Sequence, residues 1–351
     1  MRRREESRPN KENCRKLSDL DTMSSMQKKT ETIEAKRSRR RRFIAVGVVI
    51  IVIFGILTVT FYQNYISPFN RTIITADNLQ ISMRYFLDRT RLAGSDPLTM
   101  LETLTNELVM RITAPKYGIQ VTDADIENEL RNMASGGTGN VSDVEFNEWY
   151  RQVLNDNKAS DSQYREIVGI NLLSRRLQEY LAERVPTAME QVHLHVIAVQ
   201  SFEEAQDVLV RLEAGEDFAT LAREVSIETA SKDGGGDLGW LPPAISNYAE
   251  QIAALDVNEV SDPLPSYSQR SSSPSGTLTP SYYFIFIVSE KDSARELSEE
   301  NLAVLKSLAL ELWLKEEVPK HEVRYYGLYG GGFDSKTSTW INRQLQKSSG
   351  Q

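Results

Sequence analysis

The side chains of this 351-residue sequence that could do chemistry are few: three histidines, one cysteine and a small set of polar residues in one loop-rich stretch. His193 and His195 stand two apart in VHLHVIAV, with Ser226, Glu228 and Asp237 downstream, so acid–base work or metal binding is the chemistry to weigh. A metal set made from all three histidines is disfavoured, because His321 is far off in sequence and no cysteine accompanies them. A lone strand histidine is more often a hydrogen-bonded core residue than a catalyst. By alternation His193 faces the same way as His195 and reads as structural. Glu228 and Asp237 read as loop hydrogen-bonding groups rather than a carboxylate pair. The glycines of GGGDLGW open no helix of the phosphate-binding kind and serve backbone geometry. No metal and no cofactor is expected.

Two kinds of chain position these residues. Before Pro186 the apolar spacing predicts helices over residues 75 to 92, 97 to 112, 122 to 133 and 160 to 184. Thr122 with Asp125 three residues later forms a capping-box pattern. No catalytic constellation occurs in this helical part, and its pattern supports a packed or client-binding bundle. After Pro186, residues 192 to 199 and 282 to 288 read as strands and residues 202 to 213 as an amphipathic helix. Residues 265 to 280, PSYSQRSSSPSGTLTP, read as a loop insertion. Ser298 can cap a helix over residues 299 to 317 whose leucines fit either the sheet unit or the bundle. The fold class is therefore α+β.

Residues 43 to 62, FIAVGVVIIVIFGILTVTFY, carry no charge and span about 30 Å as a helix, the thickness of a bilayer core. Lys36, Arg37 and Arg39 to Arg42 precede them and no charge occurs from Gln63 to Asn70, so the positive-inside rule puts the N-terminus in the cytoplasm. A cleaved signal peptide fits less well: the polar head is too long and no small-x-small site follows. Residues 1 to 42 hold 15 Lys/Arg against 7 Asp/Glu within a chain of net charge -8, giving a basic head and an acidic body. Nucleic acid is thereby disfavoured as a partner. The single Cys14 falls in the head, so the outer part cannot hold a disulfide.

Five segments in order then carry a resemblance: His195-Val196-Ile197, the EEA run Glu203 to Ala205, AGEDFATLAREVS from Ala214 to Ser226, GGDLGW from Gly235 to Trp240, and ALDVNEVSDPL from Ala254 to Leu264. Together they resemble the parvulin, or PpiC-type, peptidyl-prolyl isomerase family. Residues 69 to 185, especially KYGIQVTDADIENEL from Lys116 to Leu130, more loosely resemble the helical chaperone part of SurA-type and PrsA-type foldases.

Composition thus marks off a basic tail (1–42), a transmembrane helix (43–62) and a C-terminal tail (318–351), and the resemblance implies a helical chaperone-like domain (69–185, completed by 297–317) and a parvulin-like, FKBP-like domain with a small mostly antiparallel sheet (187–294). It implies a membrane-anchored, extracytoplasmic isomerase acting on unfolded, newly exported, proline-containing chains. It places Leu238, Ala244, Tyr248 and Phe284 in the proline pocket and gives the catalytic positions as His195 and Glu228 beside the carbonyl, with Ser226 two residues before Glu228. Two positions depart from the family pattern: Phe284 replaces the second histidine and Ala244 the usual methionine, so the paired-imidazole network cannot form. The competing reading is a holdase of low or no catalytic activity.

Overall fold

The computed structural model describes residues 47, 48, 50–267, 280–329 and 332–348. The basic head with Cys14, the first residues of the apolar stretch, most of the Ser/Pro-rich insertion and the Gly330–Gly331 pair lie outside the described residues. Contacts divide the chain into two units, residues 1–71 with 82–84, and the remainder. In the first, a helix over Ile50–Asn70 is long and apolar enough to cross a membrane, and its side chains from Ile50 to Tyr62 are exposed.

The second unit opens on strands rather than a helix. Residues 72 to 82, expected to begin a helix at residue 75, instead form β1 (Thr72–Ala76) and β2 (Leu79–Ser82). The turn between them holds Asp77 at φ 48°, a value no helix admits. Leu79, Ile81 and Met83 fit a period of two as well as one of 3.6, and the deciding partner is remote. That partner is β7 (Val323–Tyr325), paired antiparallel with β1, so the sheet order is β2-β1-β7. Helix begins only at Met83–Ala93.

Helices then follow over Pro97–Thr113, Asp123–Ala134, Asp143–Asp156 and Asp161–Ala182. Asp96 caps the first, while Thr122/Asp125, Ser142/Glu145 and Ser160/Gln163 close reciprocal capping boxes on the rest. The Glu299–Glu317 helix, capped by Ser298, packs back onto this bundle. Its Leu310, Trp313 and Leu314 meet a core of Met110, Ala114, Ile170, Leu173 and Leu177, and Gln178 accepts a hydrogen bond from the Leu310 N–H at 2.8 Å. Chain order alone could not choose between the two hosts; the apolar match across the Asp161–Ala182 helix does. Residues after 317, expected as a tail, add β7, a β8–β9 hairpin (Leu328–Tyr329, Gly332–Phe333) and a helix over Ser335–Ser348.

Between the bundle and its returning helix sits an antiparallel sheet of order β4-β3-β6-β5, from β3 (Ala188–Val199), β4 (Asp237–Leu241), β5 (Leu264–Ser266) and β6 (Tyr282–Glu296). Alternation along β3 feeds two cores. Val192, Leu194 and Val196 pack with Phe286, Val288, Ile252 and Leu255 on one face. Ile197 and Val199 pack with Ile285 and the Phe202–Glu213 and Phe218–Val225 helices on the other.

Candidate functional site

His195 lies between Leu194 and Val196 on β3, so its ring points to the face that those two leave, the one covered by helices. It meets Phe218 edge-on at 6.4 Å and His193 at 5.1 Å between ring centroids. Its Nε2 is 3.2 Å from Ser289 Oγ, whose hydroxyl donates to the His193 carbonyl at 3.3 Å. A hydroxyl has one proton, so the Nε2–H of His195 is the donor to Ser289, which leaves Nδ1 free of that bond. Burial pushes the His195 imidazole below its ordinary value; nearby Asp237 opposes that push and His193 adds to it. His193 stacks on Trp240 at 5.5 Å, and its Nε2–H donates to Asp237 Oδ1 at 2.9 Å. Asp237 also accepts the Gly239 N–H at 2.7 Å. Burial raises its carboxyl, but the Gly239 N–H and His193 outweigh that and hold it below the usual range.

Tyr248 and Phe284 belong to the opposite face. Phe284 pairs with Ala198 on β3 and Leu264 on β5, and with Tyr248 it packs onto the core of Val196, Phe286 and Ile252. The rings form one cluster: Phe284 lies 5.6 Å from Tyr248, 5.7 Å from Phe286 and 5.3 Å from Tyr282, all centroid distances within aromatic contact. The Tyr248 hydroxyl donates to the Pro265 carbonyl at 3.1 Å, and burial raises its pKa. Tyr248, Phe284, Tyr282 and Leu241 are each half-buried, so the cluster keeps an accessible edge. Ala244 sits in the short 3-10 turn Pro243–Ile245 just before Tyr248.

The loop between the faces explains the GGDLGW motif. The Gly236 carbonyl accepts the Val196 N–H at 2.8 Å, and a Cβ on Gly236, at φ 81°, would lie 2.3 Å from the Val196 oxygen. Only glycine fits that approach. Ser226 is buried, and its Oγ accepts both the Ala198 and the Glu228 N–H at 3.2 Å, a clasp that fixes the loop to β3. Glu228 is half-buried and its Oε1 accepts the Ala230 N–H at 3.0 Å, a local turn contact. Leu238, next to Asp237 on β4, is 40% exposed.

The structure therefore brings His195 together with His193, Asp237 and Ser289, and Tyr248 together with Phe284, but does not bring the two groups together. On β3 the side chain that shares the face of Phe284 is Val196, one residue beyond His195, and a step of one residue changes face. Sequence reasoning missed Phe286, Tyr282 and Leu241 as members of the aromatic cluster. The alternating YYFIFIV of β6 carries the signal for the first two. It also passed over the contact of His193 with Asp237, which needs the register of β4.

Against known proteins, residues 198–270 match the Rotamase family, described as PPIC-type PPIASE domain. That stretch falls within the sheet unit, which is thereby similar to a parvulin-type prolyl isomerase domain, in a chain whose architecture is α+β. Neither His195 nor Phe284 lies inside the matched stretch. Among curated proteins, the chain is 30% identical over 178 residues to the foldase protein PrsA of Oceanobacillus iheyensis, covering 47% of this chain and 55% of that protein. It is 31% identical over 136 residues to the foldase protein PrsA of Halalkalibacterium halodurans, covering 38% of this chain and 37% of that protein. The chain thus spans about half or less of the length of these relatives. A crystal structure of the peptidylprolyl isomerase PrsA from Bacillus cereus aligns with a TM-score of 0.34 at 16% identity, over 80% of this chain and 92% of that one.

Proposed function

We propose that this protein is a membrane-associated foldase that holds unfolded exported chains and speeds rotation about their prolyl bonds, with the Tyr248–Phe284 cluster as the surface that receives proline. The observation that carries the reading is that cluster, an accessible aromatic edge on a parvulin-type sheet. Rotation about a prolyl bond faces a barrier of about 18–20 kcal/mol set by amide resonance. Twisting the amide breaks that resonance and lowers its charge separation, so an apolar surface that strips water from the bond favours the twisted form over the planar ones. No nucleophile is needed. In this reading Leu238 and Ala244 border the ring-binding surface. Ser226 and Glu228 hold the loop, and His195 supports the sheet from its other face.

The Ile50–Asn70 helix supports membrane attachment, and the basic residues before the apolar stretch support an N-terminus in the cytoplasm with the folded part outside. The test is refolding of a protein whose slow phase is limited by proline. The full chain in detergent shortens that phase at substoichiometric amounts if the reading holds, and leaves it unchanged if it does not.

A second reading, a holdase without turnover, is favoured by one observation: among the described residues, no imidazole stands on the face of Phe284. It is separated by the same experiment with a client that lacks proline. Suppressed aggregation of that client, together with an unchanged proline-limited phase in the first, selects the holdase.

A further inference from the structure

His193, His195 and Asp237 each offer a ligand atom, and those atoms all lie within 4.8 Å of one another. We propose that these three side chains form a binding site for one divalent ion of the zinc, cobalt or nickel class, which fastens the edge strand β4 to the central strand β3. The site stands on the sheet face opposite the Tyr248–Phe284 cluster and does not depend on the isomerase reading.

Several features of the site point to an ion of this class. Two imidazoles at i and i+2 on a strand project from one face, and the register of β3 against β4 sets a carboxylate opposite them. Two nitrogens and one carboxylate oxygen suit the borderline metals, which sit about 2.0–2.2 Å from such donors, so closure needs only side-chain rotation from the present spacing. The partners beyond the ligands are also in place. With its Nε2 on Ser289, His195 has Nδ1 left to offer an ion; His193 faces Asp237 through Nε2 while its Nδ1 is 3.9 Å from Glu290 Oε1. Such outer contacts fix the tautomer and the ring orientation of ligating histidines. The Gly239 N–H orients the Asp237 carboxylate, and the stack on Trp240 holds the His193 ring. The ion replaces the proton now shared between His193 and Asp237. The carboxylate is 43% exposed, so water completes the coordination from the solvent side. The third histidine, His321, is engaged elsewhere, with Asp77 at 2.7 Å, and takes no part.

The test uses the full chain in detergent with Co2+ and Zn2+ as probes. One Co2+ per chain should bind with the intense visible bands of a low-coordinate site, quench Trp240 and be displaced by Zn2+. X-ray absorption of the zinc-loaded chain should show two imidazoles. His193→Gln and Asp237→Asn should each weaken binding by at least about tenfold, and Ser289→Ala, which removes only the outer contact, by about tenfold or somewhat more. The melting temperature should rise with Zn2+ in the wild type and not in His193→Gln. Absence of Co2+ binding at millimolar concentration, a zinc shell with one imidazole or none, or affinities unchanged in folded His193→Gln and Asp237→Asn would each overturn the proposal. Because the absorption measurement is made on the wild type, a variant that fails to fold leaves the test intact.

Discussion

Phe284 stands opposite Ala198 in the β3–β6 ladder, three residues along β3 from His195, so the two rings leave the sheet on opposite sides. The side of Phe284 is aromatic and apolar; the side of His195 holds the charged and imidazole groups. Any activity of this domain divides along that plane.

The division predicts the outcome of a paired substitution. Phe284→Ala removes ring contacts with Tyr248, Tyr282 and Phe286 and, from a half-buried position, costs about 2 kcal/mol of stability. It should also weaken binding of proline-containing peptides, measured by fluorescence titration. Phe284→His should not raise the isomerisation rate, since Val196 offers it no imidazole partner on that face.

Gly236→Ala should be among the most damaging single changes in the sheet unit. Its Cβ would meet the Val196 carbonyl at 2.3 Å from a backbone at φ 81°, and backbone has nowhere to yield. A loss of about 3 kcal/mol or more is expected by denaturant titration, as strain adds to loss of the Val196 N–H bond to the Gly236 carbonyl. Gly234→Ala, with nothing within 4 Å of its Cβ, is the control and should change little.

In the bundle, Arg89 and Glu107 form a buried ion pair through two hydrogen bonds, 2.5 and 2.9 Å, and Arg89 also reaches the Tyr85 hydroxyl at 2.8 Å. Glu107→Ala strands the guanidinium and should cost about 3–5 kcal/mol. Replacing both partners by apolar residues of similar size should cost clearly less than the single change, a comparison read from melting curves.

Much of the fold could be read from the sequence; the helix Asp143–Asp156 was passed over although its Ser142/Glu145 cap is local, and the strands at 72 to 82 for a different reason. The capping residues Thr122 and Ser298 marked helix starts because a cap is local chemistry. Residues 72 to 82 were misread because β1 finds its partner in β7, some 250 positions away in the chain, and only that pairing chooses strand over helix. The aromatic members Tyr248 and Phe284 of the candidate site were found through the family resemblance. The separation of His195 from them was not, because a one-residue register decides a face and no composition records it.

Stability should also report the face of His195. Its folded pKa lies below the ordinary 6.5 because burial disfavours the charged ring, so the unfolded chain binds the proton more readily. Stability then falls as the pH drops from about 6.5 towards the folded value and flattens below it. His195→Gln should remove that component of the pH dependence, measured by thermal melts in the absence of metal, while leaving the acid limb set by the paired carboxylates Glu129 and Asp161, whose pKa values are lowered by their arginine partners.

The most direct measurement of the central claim is NMR exchange spectroscopy on a short proline-containing peptide with catalytic amounts of the full chain. Wild type and His195→Ala should both speed cis–trans exchange to a similar degree, and Tyr248→Ala should return the rate close to that of the free peptide. Loss of exchange in a folded His195→Ala, or full exchange in Tyr248→Ala, would contradict a proline surface on the Tyr248–Phe284 face.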